Sequence, residues 1–323
     1  MSTARAGASG TVRLLPPLLA TYLIFGAGYV AAKIAVEGGL PPLMLGARFA
    51  AVGVLLVALR VAMGRSEGLG ERAAWGGAAA SGLGMLLGGQ GLAVIAIQDL
   101  PAGTVAVLMA STPLFAAVIG HVAGFARVTG MGFAAIGLGV AGVGVLSSTA
   151  LGGGGGAVPV LLVIGAALAW ALGSTVGERM HQAPDRMTAS GMQMIVGGGA
   201  LAVASVVAGE PARFDPGAVT AAGWWAFAFM AGAVSFVGFP LFVRLTETAP
   251  PAVANSFAYV APAVSAALAF LLLGERFGGL EVAGCALILA SVVLLLRFGH
   301  RSRREKPTVR TRVFARSATR GTQ

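Results

Sequence analysis

Long apolar runs with few or no Asp, Glu, Lys or Arg recur along the chain, separated by short polar stretches, and their length sets the first structural expectation. A helix crossing about 30 Å of hydrocarbon needs roughly 20 such residues. Ten runs suit that requirement: 14–34, 43–62, 74–97, 101–121, 130–149, 159–178, 188–208, 222–243, 251–273 and 280–297. The uncharged stretch from Val128 to Gly177 is too long for one span. The run LGGGGG at 151–156 is therefore expected to interrupt it as a flexible linker. Arg5 and Arg13 ahead of the first run mimic a secretion signal, but nine further spans make that run a retained helix.

Two of the runs share a further pattern. LPAGTVAVLMASTPLF, from Leu100, and APPAVANSFAYVAPAV, from Ala249, each carry a proline near the start and another twelve residues on. Pro101 and Pro113 thus lie 149 residues before Pro250 and Pro262. FGAG at Phe25 precedes WALGS at Trp170 by 145 residues, and the stretches around Gly137 and Gly284 are 147 apart. The chain is expected to be two related five-helix units. Because five is odd, the second unit enters the bilayer from the opposite side, which makes an inverted repeat with its site near the midplane. The fold class that follows is an all-α integral membrane protein of ten transmembrane helices. Its expected parts are a cytoplasmic N-terminus at 1–13, a first repeat at 14–149, a Gly-rich linker at 150–158, a second repeat at 159–297 and a basic cytoplasmic tail at 298–323.

The prolines have a physical reading within this scheme. Pro101 and Pro250 open spans four and nine, where a missing N–H costs nothing. Pro113 and Pro262 lie about 18 Å deeper at 1.5 Å per residue. There each deprives the carbonyl four residues earlier, Met109 or Ala258, of its donor, so both are candidate kinks or hinges.

Composition agrees with a lipid surround: 57% of the 323 residues are hydrophobic and 11% charged, with a mean hydropathy of +0.86. One cysteine, Cys285, excludes an internal disulfide and a cysteine metal cluster. The net charge of +10 does not signal nucleic acid, because nine of the 22 basic residues lie between Arg297 and Arg320. That tail reads as a topology determinant leaning on anionic lipid. With the N-terminus inside, 18 basic residues face the cytoplasm and four, Lys33, Arg48, Arg213 and Arg276, lie at or near the outer face. Both termini are therefore expected on the cytoplasmic side of the cytoplasmic (inner) membrane.

Several stretches resemble the EamA-type transporters of the drug/metabolite transporter superfamily: ALAWALGSTVGERM, PPLMLGARFAAVGVLL, QDLPAGTVAVLMASTPLFAAV and the long run from Ala249 to Leu295. Leu-Gly-Glu ending at Glu275 is typical of that family's ninth span, whereas the first half has GHVAG there, and Phe25-Gly26 stands where Trp-Gly is usual. The resemblance implies ten helices in two inverted halves. It also implies that spans one, three, four, six, eight and nine surround a cavity reached alternately from each side.

Polar residues within spans are the candidates for transport chemistry, since burying them unpartnered is costly. Tyr22, Gly26, Tyr29 and Lys33 share one face of span one, and Asn255, Tyr259 and Pro262 one face of span nine. Trp170 and Ser174 pair at i, i+4 in span six. The expected cavity wall is Tyr22, Tyr29, Gln90, Ser111, Trp170, Ser174, Asn255 and Tyr259, with aromatic faces for an apolar or cationic group and hydroxyls or amides for a polar end. Singly, each equally suits a local interhelical hydrogen bond. Arg48 has three readings: snorkelling to the outer interface, pairing with Glu37, or holding a substrate carboxylate, with the structural readings favoured. Lys33 and Glu37 are expected as an exposed pair. Gly-rich stretches such as GLGMLLGGQG and IGLGVAGVG read as close helix packing rather than phosphate loops.

None of the 12 Asp and Glu residues falls in the middle third of a span. Coupling must then use other groups, or transport is facilitated. No metal, cofactor or nucleic acid is expected. The expected function is a secondary transporter, exporting small metabolites such as amino acids or amphipathic drug-like compounds, with a homodimer left open. The rival is a membrane enzyme or lipid-handling protein, which would need His181, Asp185 and a serine to converge on a cleft open to lipid.

Overall fold

The computed structural model describes residues 3–152, 156–248, 256–298 and 300–301. Pro250, Asn255, the linker centre and most of the basic tail lie outside the described residues. Among the described residues nine long helices and one shorter one, α9, follow one another: α1 (Thr3–Glu37), α2 (Pro42–Ala62), α3 (Arg72–Ala96), α4 (Ala102–Val122), α5 (Gly130–Gly152), α6 (Ala157–Gly177), α7 (Arg186–Val207), α8 (Ala221–Leu245), α9 (Phe257–Leu273) and α10 (Gly279–Phe298). Among the described residues nine of them, counting α1 from Leu15, are long and apolar enough to cross a membrane, and α9 is a shorter apolar helix. The ninth span was expected from 251, but only its part from Phe257 is described. A two-residue antiparallel bridge joins β1 (Arg127–Val128) to β2 (His300–Arg301).

Local chemistry sets the helix limits. Pro42 stands in the first turn of α2 and Pro101 precedes α4, at positions whose N–H has no intrahelical partner. Asp185 accepts from Thr188 N at 2.9 Å to start α7, and Thr220 accepts from Gly223 N at 3.1 Å to start α8. Gly274, at φ +68°, ends α9 in the left-handed conformation that glycine adopts without a Cβ penalty.

Pro113 breaks α4 more completely than the kink expected of it. The helix stops at Met109 and restarts at Thr112, with Pro113 in the first turn of the new segment. The freed carbonyls find new donors: Ser111 N bonds Leu108 O at 3.0 Å, and the Thr112 hydroxyl donates to Met109 O at 2.7 Å. Pro262 instead lies inside continuous helix in α9. Two long π-helical segments widen the rods, Leu83–Gly91 in α3 and Met230–Gly238 in α8, and a shorter one ends α9.

The helices pack mainly across the two halves of the chain. α2 lies on α7, α5 on α10, α3 on α6, α1 on α8 and α9, and α4 on α6 and α9. Glycines permit the approach. A Cβ on Gly173 of α6 would lie 2.7 Å from the Cα of Gly84 on α3, and one on Gly53 of α2 would lie 2.7 Å from Gly191 O on α7. Without a hydrophobic driving force between helices in lipid, such contact supplies the van der Waals attraction that holds the halves together. Apolar side chains such as Leu23, Val54, Val140 and Leu271 point outward, as a hydrocarbon surround permits.

At the end of the bundle carrying the α6–α7 loop, Arg60 of α2 clamps Asp185 ahead of α7, Nε to Oδ2 at 2.9 Å and Nη2 to Oδ1 at 2.5 Å. Burial alone would raise the Asp185 carboxyl pKa, but the Arg60 guanidinium and the Thr188 N–H and hydroxyl outweigh it and hold it below the usual carboxylate range. The pair's contribution is complete above the ordinary carboxylate range and is lost as pH falls through the depressed value. Asp185→Ala should lower stability by about 1–3 kcal/mol, the cost of leaving Arg60 and Thr188 N unpartnered. The check is the Tm in detergent against pH, where Asp185→Asn should lose the acid-side decline that the native pair contributes.

Candidate functional site

Between the halves lies a cavity of about 360 Å³. α1, α3, α4, α6, α8 and α9 line it, and so does α2, through Arg48 and Phe49. The resemblance did not imply an α2 contribution, although a substrate carboxylate was one of the readings of Arg48. Most of the wall is apolar. Phe25, Phe242 and Phe257 form an aromatic cluster, with the Phe242 and Phe257 centroids 4.7 Å apart at 67° and Phe25 6.0 Å from Phe242. Met85, Met109 and Met230 add flexible, polarizable surface. The π segments of α3 and α8 face each other's half here, contributing Gln90 and Ser235. Such widened turns recur at functional sites.

The structure brings Tyr29, Gln90, Trp170 and Ser174 together on this wall, with Pro113 and Pro262 beside them. Ser174 donates to Ala171 O at 3.1 Å, whereas Tyr29 and Gln90 make no side-chain hydrogen bond to a described residue. The other candidates are elsewhere. Tyr22 is buried and shares a hydrogen bond with the Ser256 hydroxyl at the start of α9. Ser111 is buried and donates to Leu108 O at 2.6 Å, and its neighbour Thr112 reaches the cavity instead. Tyr259 is half-buried and off the wall, and Asn255 lies outside the described residues. The face of α1 carrying Tyr22 and Gly26 is mostly a packing seam, since a Cβ on Gly26 would lie 2.6 Å from Val264 of α9.

Two charged residues depart from their expected setting. Lys33 is not an exposed partner of Glu37: its side chain is 12% exposed, 3.3 Å from Glu37 Oε1, and its Nζ donates to Ile97 O at 2.7 Å and Gln98 O at 3.2 Å. It satisfies the carbonyl end of α3, where a cation also suits the helix dipole. Arg48 neither snorkels out nor meets Glu37. It is 6% exposed, faces the cavity and has no carboxylate within ion-pair distance among the described residues.

The two ends of the cavity differ. Toward the α1–α2 loop, Ala35, Leu40, Ile97, Leu100, Ala102 and Val105 are at most 4% exposed and close the bundle. Two carboxylates tie this end by capping helix N-termini across elements. Glu275, after α9, accepts from Ala102 N at 2.6 Å and Gly103 N at 3.1 Å on α4. Glu210, after α7, accepts from Leu43 N at 3.1 Å, Met44 N at 2.8 Å and the Ser205 hydroxyl at 2.7 Å. Neither role was legible in the sequence, although Glu275 stood in a recognised motif. Toward the α6–α7 loop the lining reaches Glu178, an exposed residue at the end of α6 and the one carboxylate on the described wall. His181 and Asp185 lie at this end too, but Glu71 holds the first at 2.6 Å and Arg60 the second. They form no convergent catalytic set.

Comparison with known proteins follows the same division of the chain. The model of the EamA-like transporter family matches residues 17–148 and again residues 157–297. A protein of Escherichia coli strain K12, named an uncharacterized inner membrane transporter, YedA, is 32% identical over 287 residues, covering 88% of this chain and 91% of that one. The uncharacterized transporter YvbV of Bacillus subtilis strain 168 is 26% identical over 285 residues, covering 86% and 90%. A solved structure described only as the crystal structure of a protein superposes with a TM-score of 0.59 at 17% identity, over 88% of this chain and 96% of the other, a likeness of fold.

The cross-element caps are open to direct test. Glu275→Ala should cost about 1 kcal/mol, as for loss of an N-cap. It should also raise hydrogen exchange at the Ala102 and Gly103 amides selectively, leaving the α7 start unchanged.

Proposed function

Because the chain belongs to the EamA-like transporter family, we propose that it exports small metabolites, such as amino acids or amphipathic drug-like compounds, across the cytoplasmic membrane by alternating access between two inverted five-helix repeats. The observation that carries this reading is the cavity between the halves, closed at one end by packed residues and reaching exposed Glu178 at the other. The repeats are assigned to 14–149 and 159–297. The π segments beginning at Leu83 and Met230 support the assignment, since 230 less 83 gives 147 residues, one of the sequence offsets. Helix pairing supports it as well. α2 with α7, α4 with α9 and α5 with α10 each join counterparts, and α3 with α6 mirrors α8 with α1. A pseudo-twofold axis in the membrane plane generates that set of contacts.

Charge supports the orientation assumed for export. Arg60, Arg65, Arg72, Arg127, Arg179 and Arg186 cluster at the end toward which the cavity reaches, which marks it as cytoplasmic. The cavity then loads from the cytoplasm, and Pro113 and Pro262 act as paired hinges when the halves rock. The basic tail fixes topology and leans on anionic lipid. The YedA name places that relative in an inner membrane, consistent with this location.

Uptake and counterflow in proteoliposomes, with labelled amino acids and cationic drugs, test the reading. Saturable counterflow is the expected result, and a folded protein that moves no solute of a broad panel overturns it. An imposed pH gradient should change the rate little, because the described wall carries only Glu178 as a carboxylate; acceleration would assign coupling to that residue. Gly89→Val should abolish transport with insertion intact, since even a Cβ there would lie 2.8 Å from Trp170 Cε3 and push the indole into the cavity. Gly137→Ala, with nothing within 4 Å, should leave transport unchanged.

A further inference from the structure

Arg48 is an anomaly in a chain that otherwise pairs its buried charges. It lies six residues into α2, is 94% buried by its 6% exposure, and faces the cavity. Its one protein hydrogen bond among the described residues runs from Nη1 to Leu45 O, and its guanidinium carbon sits 4.2 Å from the Phe49 ring centroid. Nε has no partner. A guanidinium held this way sits in an apolar wall with no carboxylate partner among the described residues, an arrangement that is expensive unless a ligand completes it.

The unengaged edge has a definite chemistry. Arg60 grips Asp185 with Nε and Nη2 together, one nitrogen to each oxygen. This is the planar fork that matches a carboxylate. On Arg48 no hydrogen bond from that same Nε and Nη2 edge reaches a described residue: Leu45 O takes Nη1, and Nε is buried without a partner. A second unmet polar atom lies on the wall, the fully buried Ser235 hydroxyl in the π segment of α8, which packs against α2.

We infer that the cavity takes small monocarboxylates with an apolar body, and that Arg48 is the seat of the carboxylate. The inference rests on the transport reading of the same cavity and narrows its substrate class. The Arg48 fork receives the two carboxylate oxygens, with Ser235 as a further donor, while Trp170, Met109 and the Phe25 cluster contact the body. Nε is shielded where the guanidinium lies over Phe49, so engagement of both nitrogens requires the side chain to turn out from that ring. One cation suits a monoanion, and a dianionic phosphate would leave a buried charge uncompensated. The volume of about 360 Å³ lies at the lower end for ligand pockets, which limits the guest to a small molecule.

Phenylacetate, phenylacetamide and phenethylamine present one ring with an anionic, neutral or cationic end. With purified full-length protein, binding is read from thermal shift and tryptophan fluorescence, and transport from counterflow in proteoliposomes that include L-phenylalanine. Phenylacetate should bind and exchange saturably, with the amide weaker by about tenfold or more. Arg48→Gln should raise the phenylacetate half-saturation by about tenfold or more, and Arg48→Lys should restore only part of it, because an ammonium lacks the fork. Amide binding should change less than phenylacetate binding in both, so that the acid-to-amide ratio falls. Equal affinity for acid and amide, or a folded Arg48→Gln that binds phenylacetate as the native protein does, overturns the inference. Should Arg48→Gln fail to fold, the native acid-to-amide ratio and a selective loss of phenylacetate affinity in Ser235→Ala decide it. Movement of the amine or amide but neither carboxylate overturns the carboxylate seat and leaves the transport reading standing. If the wider metabolite panel is also immobile, both fall.

Discussion

Within hydrocarbon no water satisfies a stranded donor or acceptor, and this constraint organises the polar groups of the chain. Mid-helix hydroxyls bond their own backbone: Thr21 donates to Pro17 O at 2.7 Å, Thr112 to Met109 O at 2.7 Å and Ser291 to Ile288 O at 2.6 Å. At Pro113 the stranded Met109 carbonyl accepts from the neighbouring Thr112 hydroxyl. Helix ends are completed by residues from other elements, Glu275 on α4, Glu210 on α2 and Lys33 on α3. Against that background an unmet polar group is informative. Of the four buried unpartnered side-chain atoms among the described residues, two, on Arg48 and Ser235, belong to the cavity wall.

The same surround sets how the halves hold together. Lipid tails are as apolar as leucine, so helices adhere by close packing, and glycine at Gly53, Gly84, Gly173 and Gly191 brings backbones into contact. The seams of α2 with α7 and α5 with α10 are built this way and contribute little or nothing to the cavity. Much of the wall comes instead from helices broken or widened in midspan: α4 at Ser111, and α3 and α8 through their π segments. Irregular backbone is thus concentrated where a solute would sit, with regular helix at the supporting seams.

The two ends are held by different chemistry. Carboxylates on backbone N–H groups and a lysine on carbonyls close the α1–α2 end together with packed apolar residues. Side-chain pairs, Arg60 with Asp185 and Glu71 with His181, span the other end. The Glu71–His181 pair is exposed and separates at modest cost, whereas release of the Glu210 or Glu275 cap leaves several groups unpaired.

Spans were legible in the sequence because a membrane helix satisfies its backbone within itself, so run length alone sets its limits to within a few residues. Close packing was also legible in the glycine stretches, at Gly84 and Gly142 among others. Facing was not. Ser111 and Thr112 are neighbours, yet one bonds inward to its own helix and the other meets the cavity, because the break at Pro113 resets the rotation of α4. Tyr22 and Tyr29 share a sequence stripe, but α9 covers the first and leaves the second open. Lys33, Glu210 and Glu275 took their roles from helix ends distant in the chain. Arg48 had three readings until packing placed it on the cavity wall without a carboxylate partner. Periodicity determines which residues enter the membrane; which of them face the cavity is decided by how helices from opposite halves rotate and seat against one another, and that depends on contacts more than a hundred residues apart.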